Sequence, residues 1–207
     1  MASSRAQAYT LESVIAAIVI LTAVLFALQA VFITPTTSGA VDPGVRDELR
    51  QQASDILVVS AQNSTFSLSD QIRYWDQNTR TFVGGRNARV GYGSSPPPGM
   101  FGTMLNRTFS ERNRLYNVEL RYRGENATQE SESLPLVYRG TPGEGSVVAT
   151  TTVTLYDNQT LSGPRASNRG LWEYDTNATD NDGGYYPIPN AVEGPVYNVV
   201  EVRVVVW

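Results

Sequence analysis

Three side chains that carry much of enzyme chemistry are missing from this chain: its 207 residues include no Cys, no His and no Lys. Without Cys there is no disulfide, no thiol nucleophile and no thiolate metal ligand. Without His or Cys a zinc site has no usual donors, and only carboxylates remain as side-chain metal ligands. A Ser nucleophile lacks its ordinary bases, His and Lys. The glycine pairs Gly84-Gly85 and Gly91-Tyr92-Gly93 lack both a strand-to-helix setting and the P-loop Lys, which argues against phosphate binding. All 16 basic residues are Arg, set against 20 acidic ones for a net charge of −4. No basic run or aromatic–basic interleaving is present, so nucleic acid is not an expected partner. No cofactor is implied.

One long hydrophobic run is present. Ser13–Ile33, SVIAAIVILTAVLFALQAVFI, has no charged residue. At about 1.5 Å per residue, a helix of this length matches a bilayer core of roughly 30 Å. A removed secretory leader has a shorter apolar region and a small-residue exit, so a retained transmembrane helix over 13–33 is the reading taken. Thr34-Pro35 ends the run. Arg5 is the only basic residue before it, and the next is Arg46. The positive-inside bias then keeps residues 1–12 in the cytoplasm and places the chain beyond the span outside, as a single-pass surface protein. Glu12 stands at the mouth of the run, where a helix dipole favours a carboxylate and lipid demands a cationic partner.

Arg5-Ala6-Gln7, then Tyr9-Thr10-Leu11-Glu12 and the apolar helix, resembles the class III signal segment of type IV pilins and archaeal pilin-like proteins. The absence of Lys beside an acidic surplus is similar to halophilic-archaeal composition. The resemblance implies that a prepilin-type peptidase cuts after Ala6, leaving Gln7 as the new amino terminus and the helix on the mature subunit. It also implies that Glu12 pairs with a neighbour's terminal amine during assembly. The family's Glu is fifth in the mature chain; here it is sixth after that cut, or fourth if the cut follows Ala8. Small residues such as Ala16, Ala17, Ala23 and Ala27 would let such helices pack closely. The plain alternative is an uncleaved signal anchor on a surface or secretion-complex protein that forms no filament.

Beyond the span, residues 34–44 read as a Thr/Gly/Pro linker and 45–207 as one extracellular domain. Asp42-Pro43 is an N-cap followed by Pro at the first helical position. Val45, Leu49, Ala53, Ile56 and Leu57 then recur at helical period, predicting a helix over about 43–61. Leu68 to Trp75 predicts a short helix capped near Ser69 or Asp70. Arg80 to Val83 predicts a short strand, 84–99 a loop, and 99–112 a helix. From Tyr116 the period becomes two: Tyr116, Val118, Leu120 and Tyr122 share one face. Leu134 to Tyr138, Ser146 to Tyr156 and Gly194 to Trp207 follow as strands, the last with Val200, Val202, Val204 and Val206 on one face. The expected class is α+β, with a mainly antiparallel sheet of at least four strands and packed helices. Residues 157–189 show no pattern and read as an exposed functional loop or insertion.

Asn63, Asn106, Asn126, Asn158 and Asn177 each begin an Asn-x-Thr triplet and are candidate glycosylation sites on the outer side. Asp175, Asp180 and Asp182 give a partial likeness to a calcium loop, with Ala178 where the first acidic ligand belongs and Pro189 where the bidentate Glu would stand. A plain acidic turn is favoured over a metal site there. Trp172, Tyr174, Tyr185 and Tyr186 form either a lid over the core or a contact surface. The sequence picks out no pair of carboxylates for glycoside chemistry, so an extracellular carboxylate enzyme stands as the rival of another class. The expected partners are the membrane and other pilin-like subunits, through the apolar helix.

Overall fold

The computed structural model describes residues 2–29, 42–125, 131–176 and 184–207. The chain divides into two compact units, Met1–Ser38 and Gly39–Trp207.

The first unit contains one helix, α1, Ala2–Gln29. It holds neither Gly nor Pro and is rich in Ala and Leu, so nothing in it interrupts helical propensity. The residues before Glu12, from Ala2 on, are part of this helix. Glu12 therefore sits in the helix interior rather than at its mouth, and the dipole argument does not apply to it, since the field fades within the first turn. Residues 30–33 of the apolar run, and 34–41 of the linker, lie outside the described residues. Among the described residues no helix is long and apolar enough to cross a membrane.

The second unit is α+β. Its first helix, α2 (Pro43–Ala61), starts where expected: Asp42 caps it by accepting from Gly44 N at 2.8 Å, with Pro43 inside the first turn. Ala53, Ile56, Leu57 and Ser60 are its buried stripe. Its solvent side carries Gln–carboxylate pairs one turn apart, Gln52 to Glu48 and Gln51 to Asp55. α3 (Leu68–Ile72) is shorter than predicted and is capped by Ser67. Ser67 and Asp70 bond each other's backbone N–H, a reciprocal pairing that fixes the cap at Ser67, two residues before Ser69. Trp75 leaves the helix altogether and forms β1 (Trp75–Asp76) with β2 (Thr81–Phe82). α4 (Gly99–Thr108) is followed by a 3₁₀ turn at Ser110–Arg112. Gly102 lets α4 lie on the proline loop, for a Cβ there would fall 1.7 Å from Pro97 O.

Four strands follow: β3 (Tyr116–Tyr122), β4 (Glu132–Val137), β5 (Val147–Tyr156) and β6 (Val196–Val206). They form one antiparallel sheet in the order β4-β3-β6-β5. Register aligns apolar residues in rows across it: Val118 faces Val204, which faces Ala149, and Leu120 faces Val202. α2 packs against β5 and β6, and its stripe joins these rows in one core. The period-two reading of β3 holds, since Tyr116, Val118, Leu120 and Tyr122 are all buried.

Residues 157–176 and 184–189 differ from the exposed loop expected. Leu161, Leu171, Tyr174, Tyr186 and Ile188 are buried in the core cluster. Polar aromatic tips staple this segment down. Trp75 Nε1 donates to Tyr185 O at 3.1 Å, Tyr186 Oη to Ile72 O at 3.2 Å, and Tyr197 Oη to Ile188 O at 2.5 Å. Asn198, fully buried, donates to Pro189 O at 2.8 Å. Irregular backbone is held here by side-chain donors instead of a ladder.

Candidate interaction surfaces

Every described side chain of α1, from Glu12 to Leu25, is exposed. Val14, Ile15, Ile18, Leu21 and Leu25 cover one side of the helix and Val19, Ile20 and Val24 the rest, at half exposure or more. Globular helices bury one stripe and wet the other; an apolar circumference is the pattern of a helix surrounded by lipid or by other helices. Thr22, the polar residue inside this stretch, keeps its hydroxyl bonded to Ile18 O at 2.8 Å and Val19 O at 2.9 Å. That internal bond lets a hydroxyl dispense with water. Arg5, Ala6 and Gln7 fall in the first two turns of α1, so the backbone at the expected cut is helical.

The sheet face opposite the α2 core is polar at its centre. On β3 and β6, Glu119 stands opposite Arg203 and Arg121 opposite Glu201. Glu119 Oε2 accepts from Arg121 Nε at 3.1 Å and lies 3.7 Å from Arg203 Nη1. Pairs this exposed contribute about 0–1 kcal/mol each, and their alternation leaves no field of one sign. Two shallow cavities flank them. One of about 330 Å³ is lined by Pro135, Tyr138, Pro142, Val148 and Val205 around Glu119 and Arg203. The other, about 320 Å³, lies by Arg121, Thr152, Val199 and Glu201. The alternation of β3 placed Glu119 and Arg121 on a common outer face; their partners on β6 depend on strand order, which periodicity does not encode.

Two further cavities lie at Trp75, Asp76 and Arg165, and between α2 and Arg112 and Arg114. Each of these four cavities holds one carboxylate: Glu119, Glu201, Asp76 and Glu48. The groups that burial shifts are tyrosines. Desolvation raises the phenols of Tyr92, Tyr122, Tyr186 and Tyr197, and that of Tyr116 against the opposing pull of Arg139. They stay protonated, and Tyr92, Tyr186 and Tyr197 donate to backbone carbonyls. Arg139 lies 4.0 Å over the Tyr116 ring and donates to its Oη at 2.9 Å. No local pattern announces this clamp, since its residues are 23 positions apart. Arg73 is buried, paired with Asp70 at 2.7 Å and donating to Thr160 O.

The sequons sit in different settings. Asn63 is half-buried in a turn; its Oδ1 accepts from Thr65 N and Phe66 N, both at 2.9 Å, and its amide donates to Met100 Sδ. Asn106 lies inside α4 with its amide bonded to Glu111 at 3.2 Å, unlike the open loop an acceptor site favours. Asn158 is exposed in the turn after β5. Asn126 and Asn177 lie outside the described residues, as do Asp180 and Asp182 of the calcium candidate. Asp175 is described: its backbone bonds Gly184 and Tyr186, within the lid. Among the described residues no group of three or more acidic side chains is placed to hold a metal. Of the four loop aromatics, Tyr186 and Tyr174 are buried in the lid, Tyr185 is half-buried against Trp75, and Trp172 is 62% exposed.

No curated protein and no solved structure matches the chain. A family model matches it over residues 5–206, taking in almost all of α1 and all but the last residue of the α+β unit, and the chain belongs to that family, described as a family of unknown function (DUF7288).

Proposed function

We propose that this chain is a pilin-like, membrane-anchored cell-surface protein that acts by helix-mediated assembly into or onto a type IV pilus-like structure. The observation that carries the reading is the apolar circumference of α1, exposed from Val14 to Leu25 within a sequence run that stays uncharged to Ile33. In lipid that surface is solvated by acyl chains; in a filament it is buried against the same helix of neighbouring subunits. Glu12, exposed on α1, is a costly group in either setting unless a cation meets it. A neighbour's terminal amine, freed by a prepilin-type peptidase, supplies one. The amino terminus is then cytoplasmic, and the α+β unit is outside and open to glycosylation at Asn158. Mass spectrometry of the mature chain tests this: an amino terminus at Gln7 or Tyr9 supports processing and assembly, and one retaining Arg5 overturns it.

A second reading is favoured by the continuity of α1 through Ala6 and Gln7. Proteolysis concentrates at exposed loops and termini, and a helical site must first unwind. An uncleaved signal anchor needs no such step, and the same mass measurement identifies it.

A further inference from the structure

An open sheet edge presents unpaired N–H and C=O groups that template another strand, so proteins blunt such edges with proline, charge, bulges or a covering loop. The two edges of this sheet differ in that respect. β4 carries Pro135, and a loop is bonded along it: Tyr92 N donates to Leu136 O at 2.9 Å and Tyr138 N to Val90 O at 3.2 Å. Gly91, between them, comes so close that a Cβ would lie 2.1 Å from Leu136 O. β5 has only a register irregularity between Leu155 and Tyr156, at its last residue. Its ten residues, VVATTTVTLY, include no Pro, no Gly and no charge. Its register with β6 is unbroken from Val147 to Leu155, and β6 is its only strand neighbour among the described residues. Thr150 and Thr152 are exposed along it.

We propose that β5 pairs with β5 of a second copy of this chain, antiparallel about a two-fold axis at Thr151, joining two sheets into one of eight strands. The strand is complementary to itself in that register. Residues whose numbers sum to twice 151 face each other, so every pair joins side chains on the same face. Thr150 meets Thr152 on the outer face, while Ala149 meets Val153 and Val147 meets Leu155 on the core face. Threonine pairs and β-branched pairs are favourable across antiparallel strands, and no like charges are brought together. The contact is isologous and closes on itself. After pairing, only the two β4 edges remain, and both are already blunted. A foreign strand would leave its own far edge open. This contact involves the second unit alone and does not depend on the reading of α1.

The test uses the full chain in detergent, where the absence of native Cys makes an introduced one unique. Opposed residues in an antiparallel pair have Cα atoms about 4.5–5.5 Å apart, within disulfide range. Thr151→Cys is expected to give, under mild oxidation, about tenfold more linked dimer than Ser133→Cys on the β4 edge. Adding Thr152→Lys, which puts a charge on the β5 edge, should remove that excess. A mixture of T150C and T152C chains, both altered at exposed positions, should yield more linked dimer than either alone. Adding Ile18→Arg to T151C separates this contact from any made by α1, because the linked dimer should persist. Equal linkage from T151C and S133C, together with no gain in the mixture, overturns the proposal.

Discussion

α1 and α2 are both long helices with abundant aliphatic side chains, and they stand in opposite relations to water. α2 concentrates Ala53, Ile56, Leu57 and Ser60 on one stripe and sends Asp47, Glu48, Arg50 and Gln51 outward, so a single chain satisfies it. α1 spreads Val14, Ile15, Ile18, Val19, Ile20, Leu21, Val24 and Leu25 around its whole girth, all of them exposed. Amphipathic period therefore marks the helix that builds a domain. Its loss over a long apolar run marks the helix whose partners lie elsewhere.

Truncation divides the two most sharply. Leu57→Ala in α2 is expected to lower the stability of the second unit by about 2–5 kcal/mol in denaturant melts. The matching change in α1, Leu21→Ala, should leave that transition where it is. A charge reverses the ranking. On the proposed membrane-anchored reading, Ile18→Arg in α1 adds about 2.5–3.5 kcal/mol to the cost of lodging the helix in lipid, and cell fractionation should find the chain depleted from membranes. On α2, Val58→Arg falls at a side chain already 48% exposed and should shift stability by no more than about 0.5 kcal/mol. A smaller effect comes from the cap of α3: Ser67→Ala should cost about 1 kcal/mol in the same melt. Alkali gives a further contrast. The buried phenols titrate above the ordinary value of 10.0, so the folded state holds protons that the unfolded state releases. Stability is unaffected by them below pH 10 and falls as pH rises past it, a loss a melt series over that range should detect.

Much of this was legible beforehand because it rests on period. α2, β3 and the core face of β6 follow from spacing alone, and Asp42-Pro43 announces the start of α2. Strand order was not legible, and with it went the facing of Glu119 and Arg203, because pairing between distant strands leaves no local trace. The aromatics suggested a lid as one of two readings, but how residues 157–176 and 184–189 are held down was not legible, for a related reason. Tyr186 and Tyr197 hold irregular backbone through single bonds from their tips, and such bonds need no repeat.

β6 lies between β3 and β5, which otherwise have no pairing with each other. During synthesis β3 can zip onto β4 as soon as both emerge, but β5 waits, unladdered, until residues 196–206 arrive. Through that interval its uncharged threonine-valine edges are both bare. A nascent chain halted there is the species most in need of a chaperone, and the order of emergence rather than the finished architecture sets that hazard.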